Sequence, residues 1–364
     1  MHFPPLAASC DAEVVVIGAG VAGAAVAFQL ARGRRRVVLL EAGTLAPGAD
    51  VGHVRVGLGV AYSAAVRSLG RDAAREIWER QRESRLRLEG VLRMLESDCD
   101  YRHAGGFRLA ESRQEGITLA ESEELLREDG FSGEFFDHHM LEARFDVQGF
   151  AAGYWAADDA DLDVAALLGR VAVAAQQLGA AVHEQSAVAE LELSSTGAVA
   201  VTRQGAQVRA GLAVLAAGAG SGQLVPWLAT RLVVAEERQL GLGLNPAAAL
   251  PSPGSARDGR VAWRAARDLL LLRGARPQDF VAGRFLAFPG VLSESRRCVS
   301  AGTRDGLALA GWLPERPSLI ASGFGGDALG SAFQVAHWIA EAVAGRDVVP
   351  PGWRADREAQ GGGS

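Results

Sequence analysis

The hydrophobic pattern near the start of the chain changes from a short buried run to a helical period and back. Residues 14–17 are apolar and β-branched, which predicts a buried strand. The pattern then predicts a helix over about 21–32 and a second buried strand over 36–41. The three elements follow each other within about 30 residues, which is the length of a βαβ unit.

Elements with a more polar face occupy much of the remaining chain. Residues 101–110 predict a hairpin that turns at Gly105 and Gly106, and 232–288 predict irregular strands separated by Pro and Gly. The other predicted helices lie at 72–97, 115–129, 164–177 and 328–344, and the other predicted strands at 180–183, 188–193, 198–203, 207–209, 212–216 and 319–322.

Three glycines, Gly18, Gly20 and Gly23, form a G-x-G-x-x-G turn between the first strand and the first helix. Glycine lets the backbone approach a pyrophosphate closely, and the N-terminus of the helix meets its negative charge. Glu41 ends the second strand, where an acid accepts hydrogen bonds from ribose hydroxyls and disfavours the 2′-phosphate of NADP. The unit therefore predicts a dinucleotide site rather than a merely structural turn.

Two later segments separate FAD from NAD. A second apolar strand ends in small residues at 214–219, and a C-terminal strand runs into the glycine cluster 323–326 ahead of a helix. A helix N-terminus there would stabilise negative charge on a reduced isoalloxazine. The alternative is two ordinary strand-to-helix turns. FAD is the predicted cofactor.

The strand–helix units at the start, middle and end of the chain predict an α/β protein. Its Rossmann-type FAD-binding domain is discontinuous and comprises 1–75, 150–228 and 296–360. An α+β substrate domain built on an antiparallel sheet is inserted as 76–149 and 229–295. The final four residues, 361–364, are interpreted as a flexible linker.

Composition narrows the function classes. The net charge of −6 and the lack of a long basic run argue against a nucleic-acid partner. The glycines within the apolar run 14–31 favour a strand, a turn and a helix over a membrane span. Three cysteines argue against a disulfide framework, so we expect a soluble, cytoplasmic protein without a metal site. All 37 basic residues are arginine, so lysine chemistry is excluded.

These motifs together resemble the D-amino-acid oxidase superfamily of flavoproteins, in particular its sarcosine, N-methyltryptophan and pipecolate oxidase branch. The resemblance covers nearly the whole chain. It rests on the glycine turn, the helix near Trp78, residues 161–163 ahead of a helix, the strand end 215–218, and the segment 298–306 followed by 323–326.

The resemblance also suggests a covalent cofactor. Cys298 stands five residues before Thr303, where sarcosine oxidases carry the cysteine joined to the flavin 8α-methyl group, and Asp305 also matches the motif. Arg304 replaces the proline of the family. A buried free cysteine is the alternative interpretation of Cys298.

Residues 52–55 match a family stretch on the flavin face. The resemblance implies that Arg55 lies beside the isoalloxazine as a permanent cation and that His53 lines the same cavity. Two family positions that grip the substrate carboxylate fall here on Leu58 and Gly330. The family's oxygen-activating lysine has no counterpart, and Arg264 lies near its place in the pattern. A free small amino acid is therefore not the expected substrate.

Asp327 stands where the family often has a histidine, so we interpret it as a residue that holds a cationic amine or caps the last helix. The candidate catalytic residues are Arg55, His53 and Arg264, and the candidate substrate residues are Leu58 and Asp327. The candidate cofactor residues are Gly18, Gly20, Val21, Ala22, Gly23, Glu41, Ala42, Gly52, Arg55, Val188, Ala217, Gly218, Cys298, Gly323, Gly325, Gly326, Asp327 and Ala328.

The leading hypothesis is FAD-dependent oxidation of a C–N bond to an imine by hydride transfer to flavin N5. The expected substrate is an amine or amino-acid derivative, free or carrier-bound, and a biosynthetic role is expected. One alternative is a flavin dehydrogenase that uses a quinone or protein acceptor. Another is a flavin-binding subunit of a heteromeric amine dehydrogenase. The oligomeric state is not predicted.

Overall fold

The computed structural model describes residues 2–45, 50–245, 247–286, 291–314 and 318–357. The helices are α1 (Val21–Arg32), α2 (Tyr62–Leu69), α3 (Arg71–Met94), α4 (Arg113–Glu128), α5 (His138–Arg144), α6 (Val164–Gln177), α7 (Ser221–Leu224), α8 (Pro226–Ala229), α9 (Pro277–Val281) and α10 (Ala328–Val343). The strands are β1 (Cys10–Ile17), β2 (Val37–Leu40), β3 (His53–Val54), β4 (Gly106–Ala110), β5 (Gly133–Asp137), β6 (Ala152–Ala156), β7 (Ala160–Asp161), β8 (Ala181–His183), β9 (Val188–Ser194), β10 (Gly197–Thr202), β11 (Gln207–Leu215), β12 (Val233–Gly243), β13 (Gly254–Ala256), β14 (Val261–Ala266), β15 (Leu269–Gly274), β16 (Leu292–Gly302), β17 (Leu309–Trp312) and β18 (Ser318–Ser322).

The first sheet contains the predicted βαβ unit. Its strand order is β17-β18-β11-β1-β2-β8, and β1 runs parallel to both of its neighbours. Val16 lies opposite Val214 on one side and Leu39 on the other, and the last four residues of β1 are all buried. The burial of β1 on both faces explains its continuous apolar run, and the predicted strand, helix and strand are confirmed.

One part of the first sheet differs from the prediction. Residues 207–209 and 212–216 were expected to form separate strands, and that expectation is wrong because β11 runs without interruption. Its first residues pair antiparallel with β10, while most of its length pairs parallel with β1. The strand thereby links the β9–β10 extension to the parallel core.

The second sheet has the order β16-β12-β15-β14-β13-β4-β6-β5. Its neighbouring strands are antiparallel except for β13 and β4, which run parallel. The prediction of an α/β fold with a second, largely antiparallel sheet is therefore confirmed. A third, two-stranded sheet pairs β3 with β7.

The predicted hairpin over 101–110 is wrong. Residues 106–110 form β4, which pairs with β6 and β13 rather than with the segment before it. Gly105 and Gly106 are needed for close packing, because a Cβ on Gly105 would overlap the Trp155 ring and a Cβ on Gly106 would lie 2.7 Å from His53 Nε2. In a sequence, a glycine pair that is required for close packing therefore looks the same as a glycine pair in a turn.

Helix α10 is held from several sides, which fixes the position of the glycine cluster ahead of it. Its residues Leu329, Phe333 and Ile339 are fully buried in the largest hydrophobic core. Helix α3 contributes hydrogen bonds to it: Ser84 Oγ accepts from Gln334 N at 3.3 Å, and Arg87 Nε donates to Gln334 Oε1 at 2.6 Å.

The domain limits stay a prediction. Strands β6 and β16 of the second sheet begin close to the predicted limits at 150 and 296.

Within the described ranges, no helix combines the length and apolarity that a membrane crossing needs. The three cysteines, Cys10, Cys99 and Cys298, are free thiols.

We expect Leu88→Ala to lower the free energy of unfolding by about 2–5 kcal/mol, because Leu88 of α3 is fully buried in the core that carries α10. Leu86→Ala is the matched control on the same helix, where the side chain is half exposed, and we expect a change within about 0.5 kcal/mol. Urea unfolding followed by circular dichroism measures both. Equal effects would contradict the packing of α3 through its Leu88 face.

Candidate active site

The glycine turn brings two backbone segments into direct contact. Gly18 has a φ of +99°, and a Cβ there would lie 2.5 Å from the carbonyl oxygen of Ala216 in the neighbouring chain segment. A Cβ on Gly23 would overlap the Gly18 carbonyl oxygen. Gly20 instead faces open space. The first and third glycines are thus required by the fold, and the second leaves room for a ligand.

A groove of about 650 Å³ begins at this turn. A volume of this order suits a small molecule or cofactor. Glu41 lines the groove, and its carboxylate accepts hydrogen bonds from Ala19 N at 2.8 Å and Gly43 N at 2.9 Å. The groove also contains the predicted residues Gly18, Gly20, Ala42, Val188, Ala217 and Gly218.

A second cavity of about 150 Å³ continues from the groove toward α10. The two share Gly20, Ala216, Gly218 and Val299 in their linings. The second cavity brings together the predicted residues Val21, Ala22, Gly323, Gly325, Gly326 and Ala328. Most of the predicted cofactor residues therefore lie in the lining of one continuous cleft.

The shape and chemistry of this cleft fit FAD. Helix α1 begins at the glycine turn with no side-chain cap from the described residues and no acid in its first turn. Its backbone N–H groups and the positive end of its dipole are therefore available to a pyrophosphate. The groove beside Glu41 suits the adenosine, and the cavity at α10 suits the ring system.

Buried charges converge where the second cavity meets the second sheet. Arg55, which follows β3, forms an ion pair with Asp327 at the start of α10. Arg273 of β15 lies 3.4 Å from both Asp327 Oδ1 and Glu237 Oε2. Both arginine side chains are almost wholly buried, whereas Asp327 is about one-third exposed. Sequence analysis identified Arg55 and Asp327 but missed Arg273 and Glu237.

Several buried polar atoms in this region lack a hydrogen-bond partner among the described residues. They are Arg55 Nε and Nη1, Arg273 Nε and Gln239 Oε1. Gln239 lies directly opposite Arg273 in the β12–β15 register. Buried polar groups are normally satisfied, so this set marks a place where a ligand supplies the partners.

Asp50 lines the second cavity and was missed by sequence analysis. Its Oδ1 accepts from Gly52 N at 2.9 Å. Burial raises the pKa of Asp50 to about 6, although hydrogen bonds from the Gly52 and Leu329 backbones and the charges of Arg273 and Arg55 act in the opposite direction. In the sequence, Asp50 is marked only as an acid that stands two residues before the 52–55 motif.

His53 forms a buried pair with Asp159 instead of lining either cavity. Nε2 of His53 lies 2.8 Å from Asp159 Oδ2, and Asp159 Oδ1 accepts from Val56 N at 2.8 Å. Burial lowers the pKa of His53 and outweighs the opposing effect of Asp159. Burial raises the pKa of Asp159, but the His53 hydrogen bond and the Arg108 charge outweigh it and hold the pKa below its usual value. The pair therefore anchors the segment that carries Arg55.

Arg264 is engaged by two acids. Its Nε donates to Asp161 Oδ1 at 2.7 Å, and its Nη2 donates to Asp100 Oδ2 at 2.5 Å. A Cβ on Gly52 would lie 3.2 Å from the Arg264 side chain, so this arginine packs under the 52–55 segment. Its predicted catalytic role stays a prediction.

Leu58 and Cys298 do not contribute to the described lining of the cleft. The Leu58 side chain is buried in the main core, and a Cβ on Gly306 would lie 3.6 Å from it. Cys298 Sγ lies 3.9 Å from the Arg296 carbonyl oxygen, while the neighbouring Val299 lines both cavities. Burial, reinforced by Glu237, raises the pKa of the Cys298 thiol.

Comparison with known proteins agrees with the assignment of the cleft to FAD. A family model described as "DAO: FAD dependent oxidoreductase" matches residues 13–342. No curated protein gives a significant match. Among solved structures, glycine oxidase from Geobacillus kaustophilus is similar at 20% identity with a TM-score of 0.80, covering 96% of this chain and 99% of that chain.

Two further solved structures share the fold at low identity. An L-amino acid deaminase from Proteus vulgaris, with its specific insertion deleted, is 17% identical with a TM-score of 0.78, covering 98% of this chain and 97% of that one. NikD, described as an unusual amino acid oxidase essential for nikkomycin biosynthesis, is 16% identical with a TM-score of 0.76, covering 95% and 97%. The family match spans most of the sequence, including the glycine turn and α10, so the chain belongs to the FAD-dependent oxidoreductases of the D-amino-acid oxidase superfamily.

Proposed function

We propose that this FAD-dependent oxidoreductase oxidises the C–N bond of an amine or amino-acid derivative to an imine. The observation that carries the proposal is the set of buried, incompletely satisfied polar groups between the second cavity and the second sheet. Arginine, glutamine and carboxylate groups meet there, and a substrate with both an amine and a polar tail satisfies them. Structurally similar proteins named as amino acid oxidases and deaminases support the same class.

The cofactor-binding roles follow from the cleft. The glycine turn and the start of α1 would hold the pyrophosphate, Glu41 would hold the ribose, and Gly323–Gly326 would face the ring system. When bound, FAD supplies at flavin N5 the acceptor for a hydride from the substrate's α-carbon. The protein's own task is to orient the substrate and keep water from the reacting atoms.

Arg273 is well placed to donate to a carboxylate or carbonyl group of the substrate, and Gln239 Oε1 is well placed to accept from a substrate N–H group. They face the same side of the second sheet on adjacent strands, and each has a buried polar atom without a partner among the described residues. Asp327 and Glu237 supply acceptors for the amine N–H groups. This arrangement replaces the carboxylate grip that the sequence lacks at Leu58 and Gly330.

A further cavity of about 240 Å³ supports a substrate larger than a simple amino acid. It is lined by Arg108, small side chains including Ala61 and Ala64, and Gly259. Gly259 borders Arg55 directly, since a Cβ there would lie 2.6 Å from Nη1. The tail of an extended or carrier-bound substrate has room in this cavity. A biosynthetic role is part of the same proposal.

We expect Gly23→Ala to weaken FAD binding at least tenfold, or about 1.4 kcal/mol, because the new Cβ would overlap the Gly18 carbonyl that shapes the cradle. The measurement is the ratio of FAD to protein after purification and dialysis, together with a titration of the stripped protein. Gly169→Ala in α6 is the control, because a Cβ there meets no atom within 4 Å. Full FAD content in the Gly23 variant would contradict the assigned cradle.

We expect Arg273→Gln to raise KM about 10- to 100-fold for carboxylate-bearing substrates, because a charge-assisted hydrogen bond contributes about 1.5–3 kcal/mol. Anaerobic flavin bleaching would be followed with a panel of N-alkyl amino acids, larger derivatives and matched amines without the carboxylate. The control is Arg276→Gln, because that side chain is 85% exposed.

The panel separates the role of Arg273 from a general defect. A selective rise in KM for the carboxylate members, at normal FAD content, supports the proposal. An equal loss for the matched amines contradicts carboxylate binding by Arg273. If no amine in the panel bleaches the flavin and a partner chain copurifies, a flavin-binding subunit of a heteromeric enzyme is the better description.

The absence of lysine favours a second candidate function, a dehydrogenase that passes electrons to a quinone or another protein. The test is to reduce the enzyme anaerobically with substrate and then mix it with air-saturated buffer or an artificial acceptor. Rapid reoxidation in air with matching hydrogen peroxide identifies an oxidase. Reoxidation by the artificial acceptor alone identifies a dehydrogenase.

A covalent link through Cys298 is a separate proposal that rests on the spacing to Thr303. The raised thiol pKa weighs against it, since the thiolate is the reactive form. Acid precipitation of the yellow protein provides the test. The link requires flavin in the pellet of the parent protein and in the supernatant of Cys298→Ser, whereas a colourless parent pellet rules it out.

A further inference from the structure

Asp50 is a buried acid that the proposed reaction does not use. Its side chain is 9% exposed and lines the cavity at the start of α10. Oδ1 accepts from Gly52 N at 2.9 Å, and the backbone of Leu329 in α10 also hydrogen-bonds to the carboxylate. Burial still disfavours the charged form of this group, because a buried charge loses its hydration.

The cavity around Asp50 is where the redox-active part of FAD fits. The pyrophosphate cradle shares Gly20, Ala216 and Gly218 with this cavity, so the cofactor continues from one into the other. Asp50 therefore lines the cavity in which the ring system would lie, and that ring gains negative charge on reduction. A nearby like charge disfavours the ionised form of a carboxyl group.

The charges that face Asp50 are nearly balanced before reduction. Arg55 comes from the segment after β3 and Arg273 from the second sheet, and both act on Asp50. These two cations are already paired with Asp327 at α10 and with Glu237 on β12. An ionised Asp50 thus leaves one excess negative charge, and electron transfer to FAD adds another.

We propose that Asp50 is a redox-linked proton acceptor, which takes up one proton when FAD accepts two electrons. The substrate loses a hydride, so the cofactor gains two electrons and one proton. A second proton enters from solvent and forms the O–H bond on Oδ2 of Asp50. Reduction adds one negative charge to the cofactor and protonation removes one from Asp50, so the net charge of the site does not change. The proposal rests on FAD binding and is independent of the substrate's identity.

The pKa of Asp50 sets the pH at which the effect begins. Burial raises this pKa to about 6, and negative charge on a bound, reduced cofactor would raise it further. Below this range Asp50 is protonated in both redox states, and well above it Asp50 is ionised in both. Between the two pKa values, reduction and proton uptake on Asp50 are coupled.

The test is the reduction midpoint potential of the holoenzyme, measured spectrophotometrically against reference dyes across the neutral range. Each proton taken up lowers the reduction constant tenfold per pH unit, or about 30 mV for two electrons. Below about pH 6 we expect the uptake of one proton per two electrons. In the pH segment above it we expect the uptake of two protons, so that the reduction constant falls a hundredfold per pH unit, or about 60 mV.

Two variants test whether Asp50 causes the steep segment in the plot of midpoint potential against pH. Asp50→Asn should remove it and raise the potential on its alkaline side, while Asp50→Glu retains a titrating carboxyl and should keep a steep segment. Asp163→Asn, which changes the same charge at the exposed start of α6, is the control. Asparagine also caps helices well, so the control should fold normally.

The wild-type profile alone can overturn the proposal. A single slope of one proton per two electrons across the neutral range contradicts it, and so does a steep segment that persists in Asp50→Asn. Neither result bears on whether an amine or amino-acid derivative is the substrate, which the bleaching panel tests. Conversely, failure of every panel substrate leaves the potential measurement intact, because dithionite serves as the reductant.

Discussion

Burying a guanidinium group costs several kcal/mol unless a carboxylate and further hydrogen bonds meet it, and this protein buries two at one place. Arg55 follows β3 and Arg273 belongs to β15, and both pair with Asp327 at the start of α10. Glu237 completes the set from β12. Because these groups lie far apart in the chain, they are paired only when the segment after β3, the second sheet and α10 are in position. The same contact that stabilises the folded arrangement therefore creates the polar wall of the site.

The dependence on distant partners explains which parts of the fold the sequence predicts well. Strand β1, helix α1 and strand β2 carry their signals within a few dozen residues, and the glycine turn defines its own geometry. Helix α6 likewise spans the predicted residues. The Gly105–Gly106 pair failed as a turn signal because its cause is distant: the Trp155 ring and the His53–Asp159 pair need the space that side chains would fill.

The same distinction between local signals and distant partners holds in the candidate site. The cradle residues belong to local strand–turn–helix motifs, so most of the cofactor residues predicted from the sequence do line the cleft. The substrate side is built from single polar residues in otherwise apolar strands. Arg273 follows four consecutive leucines, and its importance becomes visible only when the register places Gln239 opposite it. Arg264, the nearby cation in the sequence pattern, is instead engaged by Asp161 and Asp100.

A chain without lysine constrains how protons accompany electrons. Arginine stays charged near neutral pH, and although burial and the Arg108 charge lower the pKa of Arg55 to about 9, that side chain remains protonated there. His53 is held by Asp159 away from the described cleft lining, and burial lowers its pKa. The cations of the site are therefore fixed in charge, and the carboxyl groups are left to respond. Asp327 is engaged by both arginines, whereas Asp50 is a buried acid that lines the cavity at α10. In our proposal, the proton that accompanies reduction therefore goes to this acid.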